Sequence, residues 1–328
     1  MHELVYQRFL ARGFNLDVLE REGDFVRTGS LTEHATGRRV DITGFIPRFS
    51  PDAYCESFAF QWSRFRNLQH DSVSSKDLTL RRLKDNTKWD LAALKGRSVL
   101  ECGCGPGRFT EILADTGAEV LALDMSQAID VNLDNLGARE NVLLLQADLF
   151  DLPFLAGRFD YVFCYGVLQH TPDPSKTFGF LADCLAPGGR ISVDVYRKFG
   201  GPSPWGFPKY FWRPLTKHLR HATLLKILEW YIPRYIDLDT RIRSIPGHGK
   251  RLCGMIPIPC WNYLHNGYTR EERIQHAIMD TFDALSPAYD LPQTPASVGT
   301  WFRGHDELRG VDIFYGSNGV VANATRRA

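Results

Sequence analysis

Three features of the sequence predict an α/β fold in which a mostly parallel sheet is covered by helices on both faces. Between Ser98 and Tyr196 short apolar runs alternate with helical stretches. A turn dense in glycine, Gly103-Cys-Gly-Pro-Gly107, follows the first of those runs. The chain ends in two further strand-like runs joined by Gly316-Ser-Asn-Gly319. Repeated strand–helix units build parallel sheets, whereas a tight hairpin can only add antiparallel strands. The expectation is therefore a seven-stranded sheet that finishes with a C-terminal antiparallel hairpin.

Residues 1 to about 60 give no clear period, only turn residues such as Gly23, Gly29, Gly37 and Gly44. Residues 75–94 carry apolar side chains at 78, 80, 83, 89, 91 and 94, the spacing of an amphipathic helix that Gly96 ends. Strands are expected at Ser98–Cys102, Glu119–Asp124, Val142–Ala147, Phe159–Tyr165 and Arg190–Tyr196. Helices are expected at Arg108–Thr116 and Pro174–Leu185, the second halted by a turn at Pro187-Gly-Gly189. Residues 197–270 break the alternation with a Gly/Pro/aromatic loop (Phe199 to Pro208) and a helical stretch around 209–230. Val311–Tyr315 and Val320–Thr325 form the final hairpin.

Composition narrows the function. Of 328 residues, 39 are Lys or Arg and 38 are Asp or Glu, so no overall field draws the chain to nucleic acid. The first residues lack the basic-then-apolar pattern of a signal peptide, and no apolar stretch approaches the roughly 20 residues of a membrane span. Seven cysteines without framework spacing read as reduced thiols, which points to the cytoplasm. Cys102 and Cys104 lack a second Cys or His pair, so small residues in a tight turn are expected there and no metal site.

A glycine turn after a strand lets a ligand approach the backbone closely. A dinucleotide fingerprint starting at Gly103 would require glycine at 108, where Arg108 stands. The run instead reads Glu101-Cys-Gly-Cys-Gly-Pro-Gly107. It resembles the first motif of the class I S-adenosylmethionine-dependent methyltransferases, in particular the small-molecule, type 11-like group. Their fold is Rossmann-like and doubly wound. The resemblance continues in Asp124 of Val-Leu-Ala-Leu-Asp, in Gln146-Ala-Asp-Leu149, and in Phe163-Cys-Tyr-Gly-Val-Leu-Gln-His-Thr171. It implies S-adenosylmethionine as cofactor, with Glu101 and the backbone of Gly103, Gly105 and Gly107 facing the methionine end. Asp124 would hold the ribose and Met125 pack on the adenine. Asp148 and Leu149 would meet the adenine edge and ring, with Tyr165 at the fourth strand's end. The stretch Gly44 to Phe49 with Ser57 to Trp62 is similar to a leader of such enzymes; there Gln61 and Trp62 either cover the cofactor or pack in the core.

A sulfonium methyl is already electrophilic, so the protein must position the acceptor, exclude water and, for many acceptors, take a proton. His170 is the candidate base, with a structural role as the competing reading. The aromatic residues of the insert, among them Trp205, Phe207, Phe211, Trp212 and Trp230, stand among Lys209, Arg213, Lys217 and Arg220. They suit a helical lid over a large acceptor, a membrane-surface contact or a small core of their own. Tyr289, Asp290 and Gln293 beyond it are candidate acceptor contacts. The expected division is a leader region at 1–74, the cofactor-binding core at 75–196, a lid or acceptor-binding insert at 197–293, and a helix with the hairpin at 294–328. The expected activity is methyl transfer to a small molecule: a sugar, a quinone-like ring or another metabolite. A non-catalytic S-adenosylmethionine-binding scaffold or sensor, and a methyltransferase acting on a macromolecule, are the alternatives. An NAD-dependent oxidoreductase ranks behind both.

Overall fold

The computed structural model describes residues 1–50, 55–74, 76–198, 208–264 and 266–328. The loop expected from Phe199, with Trp205 and Phe207, lies outside them. Two compact units divide the chain: residues 1–53, 69–197 and 289–328 form the first, residues 54–68 and 198–288 the second.

The first unit opens with a helix, Glu3–Phe9, and an antiparallel meander of β1 (Phe14–Glu22), β2 (Phe25–Glu33), β3 (Arg39–Thr43) and β4 (Ile46–Pro47). This small sheet fills the region where no period was readable. Its cause lies in β1, an edge strand whose residues beyond Phe14 are half-buried or exposed and which carries Asp17, Glu20, Arg21 and Glu22. Phe14, Leu16 and Val18 alternate with Asn15 and Asp17 and face the core, but the alternation lasts only five residues before the charged Glu20-Arg-Glu22, too short a run to read as a strand against its surroundings.

The large sheet holds β5 (Ser98–Cys102), β6 (Glu119–Asp124), β7 (Val142–Gln146), β8 (Phe159–Cys164), β9 (Leu185–Val195), β10 (Leu308–Tyr315) and β11 (Val320–Arg326), in the order β10-β11-β9-β8-β5-β6-β7. Strands β5 to β9 run parallel; β11 is antiparallel to β9 and β10 to β11. Both faces are covered. Leu100, Leu121, Leu123, Leu143 and Leu145 point into one core with the helices Glu3–Phe9, Pro174–Asp183 and Pro295–Phe302. Val99, Val120, Ala122, Leu144 and Phe163 point into the other with Leu78–Thr87, Arg108–Asp115 and Ala128–Leu136. That double burial is why the strands read as unbroken apolar runs.

Three expectations need correction. Strand β9 starts at Leu185, so Pro187-Gly-Gly189 is not a turn before a strand but an irregularity inside one: Phe159 pairs with Leu185, and Tyr161 already with Arg190. A Cβ at Gly189 would lie 2.7 Å from the Phe159 carbonyl oxygen, so the bulge needs glycine. The helix expected over 75–94 is shorter, Leu78–Thr87, followed by a 3₁₀ turn at Leu91–Leu94; Lys88 in the left-handed region ends it. The stretch around 209–230 is two helices, Pro208–Thr216 and His221–Arg243, the second passing through Pro233.

The second unit is helical: Glu56–Arg64, Pro208–Thr216, His221–Arg243, Gly249–Met255 and Arg270–Leu285. Leu224, Leu228, Ile232 and Ile236 pack on Ala277, Ile278 and Phe282, with Phe60 and Trp62 against the same cluster. Trp62 thus serves the packing role. Arg213 donates to the carbonyls of Ala284 and Pro287, closing the C-terminal end of the helix Arg270–Leu285.

Candidate active site

Strand order reverses at β5, which has β8 on one side and β6 on the other. Open α/β sheets bind ligands at such a switch point, beyond the carboxyl ends of the strands. The Gly103–Gly107 turn lies there. Gly103, Gly105 and Gly107 all have positive φ (71°, 52° and 95°). A Cβ at Gly103 would lie 2.2 Å from Val167 Cγ2, and one at Gly107 2.4 Å from Asn132 Oδ1. Glycine is therefore required at these two positions by dihedral and by space.

Glu101 is the penultimate residue of β5, two positions before that turn begins. It is 2% exposed, and its Oε2 has no hydrogen-bond partner among the described residues. Burial pushes its carboxyl up to about 8, against the pull of a Thr110 hydrogen bond and the Arg108 charge. A buried carboxylate without full compensation favours a cationic or strongly donating ligand group beside it.

Asp124, at the end of β6, is partly exposed. Its Oδ2 accepts from Gly105 N at 2.9 Å, and its Oδ1 accepts from Ser126 N and Oγ at 2.8 and 2.7 Å. Burial raises its pKa, and the bonds from Ser126 and Gly105 oppose the rise. Of about four acceptor positions on the carboxylate, three serve the fold, so Asp124 also builds the glycine turn. Met125 is partly exposed, with its carbonyl accepting from Gln146 Nε2. Asp148 caps the short 3₁₀ turn Leu149–Asp151 through Phe150 N, and Leu149 is buried.

Tyr165 does not stand open. It is buried, its ring stacks on Phe163 at 4.3 Å, and its hydroxyl pairs with Ser192 Oγ at 2.7 Å. His170 is buried too, and its Nδ1 lies 3.0 Å from the Tyr289 carbonyl. A carbonyl only accepts, so Nδ1 carries the hydrogen and Nε2 is the basic nitrogen of the neutral ring. The return segment is stitched alongside: Leu291 N donates to Gln169 O, and Gln293 N to Tyr196 O.

Other residues build this region without a motif to announce them. His70 lies 3.1 Å from the Pro106 carbonyl and 3.1 Å from Glu111, holding the glycine turn from behind. Arg82 pairs with the buried Asp194, which also accepts from Gly166 N. Arg48 pairs with Asp130 and donates to Gln146 Oε1, fastening the small sheet to the edge strand β7. The Gln169 side chain is fully buried, and neither of its amide atoms has a partner. Of these, only Asp194 carried a signal: a carboxylate inside the apolar run Ile191-Ser-Val-Asp-Val195.

Residues 100–193 match the family model of a methyltransferase domain. A ubiquinone biosynthesis O-methyltransferase of Coxiella burnetii is 38% identical over 102 residues, covering 30% of this chain and 43% of that protein. The Marinobacter nauticus protein of the same name is 32% identical over 157 residues, covering 40% of this chain and 65% of its own. The match thus spans less than two thirds of either relative. Among solved structures, an S-adenosylmethionine-dependent methyltransferase of Mesorhizobium loti is 24% identical with a TM-score of 0.30, over 36% of this chain and 54% of that one. The S-adenosylmethionine-dependent methyltransferase SibL is 16% identical with a TM-score of 0.42, over 76% and 55%.

Strand order, glycine turn and domain match together make the core of this chain a class I S-adenosylmethionine-dependent methyltransferase domain. Its cofactor is S-adenosylmethionine, and the two relatives with a specific name match 30% and 40% of the chain.

Proposed function

We propose that the chain transfers the methyl group of S-adenosylmethionine to a hydroxyl of a small, quinone-like aromatic acceptor. The observation that carries the cofactor part is the unpaired, buried Oε2 of Glu101 beside a turn that has no room for a Cβ at Gly103 or Gly107. S-adenosylmethionine supplies an electrophilic methyl on a sulfonium and a methionine ammonium. In this reading Glu101 takes the ammonium, and the turn's backbone faces the carboxylate. Asp124 turns its remaining acceptor position to the ribose, and Met125, Asp148 and Leu149 line the adenine side. Cofactor binding then draws a proton off Glu101 near neutral pH, because a cation beside a carboxyl lowers its pKa.

The acceptor part is supported by the names of the relatives and by His170. Its Nδ1–H is turned to the Tyr289 carbonyl, which orients the ring, and in this reading Nε2 is the atom that removes the acceptor's hydroxyl proton. Calorimetric titration with S-adenosylmethionine, followed by release of S-adenosylhomocysteine on a panel of catechols, hydroquinones and sugars, tests both parts. Turnover on phenolic hydroxyls is expected. Binding without turnover on any acceptor would instead make the chain a cofactor-binding scaffold. His170→Ala should lower kcat by about 10²-fold or more with cofactor affinity unchanged; unaltered kcat at saturating acceptor removes the histidine from the mechanism.

A further inference from the structure

The helix His221–Arg243 buries one face and presents an unusual other. Leu224, Leu228, Ile232, Tyr235, Ile236 and Asp239 are turned into the core of their own unit. The opposite face, at spacings of three and four, carries Ile227, Trp230, Arg234, Leu238 and Arg241. Ile227 is 44% exposed, Trp230 64% and Leu238 51%. Arg234 lies over the Trp230 ring at 5.4 Å. The one exposed acid beside this row, Asp237, is held by Arg270 at 2.7 Å. The preceding helix adds exposed Phe211, Trp212 and Leu215, and the turn between them adds exposed Lys217 and Arg220.

Charge decides the kind of partner. Over residues 208–245 the exposed charges are Lys217, Arg220, Lys226, Arg234 and Arg241 against Asp237, in a chain whose total is nearly balanced. A row of Trp, Ile and Leu flanked by arginines on a helix lying along a surface matches the boundary of an anionic bilayer. There the indole sits at headgroup level, aliphatic side chains reach the acyl boundary and guanidinium groups meet lipid phosphate. Among the described residues no helix is long and apolar enough to cross a membrane, so the contact is one of lying on the surface.

We infer that the outer face of the His221–Arg243 helix, centred on Trp230, docks the protein on an anionic phospholipid surface. The inference is independent of which acceptor is methylated. The full chain is floated with vesicles of phosphatidylcholine alone, and with vesicles containing roughly one third phosphatidylglycerol. Flotation is expected with the anionic vesicles and should fall at least about tenfold at high salt. The triple variant Ile227→Glu, Trp230→Glu, Leu238→Glu should lose at least about tenfold in partition, with an unchanged circular dichroism spectrum. The pair Arg234→Glu, Arg241→Glu, which leaves the apolar residues in place, should lose a comparable amount. Trp fluorescence should shift to the blue on vesicle addition. Three results overturn the inference: no flotation with the anionic vesicles, flotation that neither variant reduces, or a wild-type dimer in sedimentation that the triple variant turns into a monomer. The last would give this face to a second copy of the chain.

Discussion

In the first unit Glu101 lies 2% exposed with a carboxylate oxygen lacking a partner, while in the second Trp230 lies 64% exposed on a helix whose opposite face is fully packed. One region puts an ionisable carboxyl where water is absent, the other puts an indole where water is plentiful. Each gives up stability: a buried, unpaired carboxyl costs about 1–3 kcal/mol or shifts its pKa, and an exposed indole forgoes roughly 2–3 kcal/mol of burial. Sites that give up stability in the free protein recover it when something binds, a cation in the first case and a lipid surface in the second. Removing either mismatch should therefore weaken what binds there while costing the free protein little stability.

The largest effect is expected at the glycine turn beside Glu101. Gly103→Ala adds a Cβ at a φ of 71° and within 2.2 Å of Val167 Cγ2. The left-handed backbone penalty and overpacking together predict a loss of about 2–5 kcal/mol in chemical denaturation. Cofactor affinity should fall at least about 100-fold. Adding Val167→Ala removes the clash but leaves the dihedral penalty, so it should restore only part of the stability. Full restoration would show that space alone, and not backbone conformation, demands glycine.

Glu101→Gln sharpens the comparison because its two effects have opposite signs. The wild-type carboxyl has its pKa raised from 4.5 to about 8 by burial. The folded state then binds more protons than the unfolded state between those values. The carboxyl's contribution to the stability of the free protein is full below pH 4.5 and is lost as pH rises towards 8, by up to about 1.4 kcal/mol per unit. The glutamine variant lacks this slope, so at pH 8 its free form should melt higher than wild type. Its affinity for S-adenosylmethionine should nevertheless drop about 10–100-fold, since it offers the ammonium no charge. Titrations of wild type in buffers of different ionisation enthalpy should show up to about one proton released near pH 7, and the variant none. A variant that binds as well as wild type would detach Glu101 from the cofactor.

The two regions also differ in how much the sequence disclosed. Strands β5 to β8 were legible because both sheet faces are covered, so that Val142-Leu-Leu-Leu145 and its counterparts stand out as unbroken runs. Glu101 and Asp124 were legible by place, each an acidic residue closing such a run. Strand β1 was not, because the alternation of Phe14, Leu16 and Val18 is short and gives way at Glu20, Arg21 and Glu22 on its exposed edge. The start of β9 was hidden by Pro187-Gly-Gly189, residues that ordinarily stop a strand and here make a bulge against Phe159. His70 had no signal at all, since a lone histidine gains its meaning only from what tertiary structure sets beside it; Gln169 stood inside the Phe163–Thr171 run, but nothing there said that its amide would be buried without a partner among the described residues. In the second unit the aromatic residues were visible but their direction was not. Apolar composition does not say which side of a helix meets water.

The smallest effect should come from Trp230→Ser. Tryptophan and serine have nearly the same helix propensity, so the backbone term is close to zero. The indole is mostly in water, and the substitution opens no core cavity. What is lost is the contact with Arg234, worth about 0.5 kcal/mol at an exposed site, plus the modest burial of the ring's inner edge. Denaturation should shift by no more than about 1 kcal/mol, in contrast to Gly103→Ala. A loss of several kcal/mol would mean that the indole is a structural element of its own unit, and the opposition between the two regions would fail at its second half.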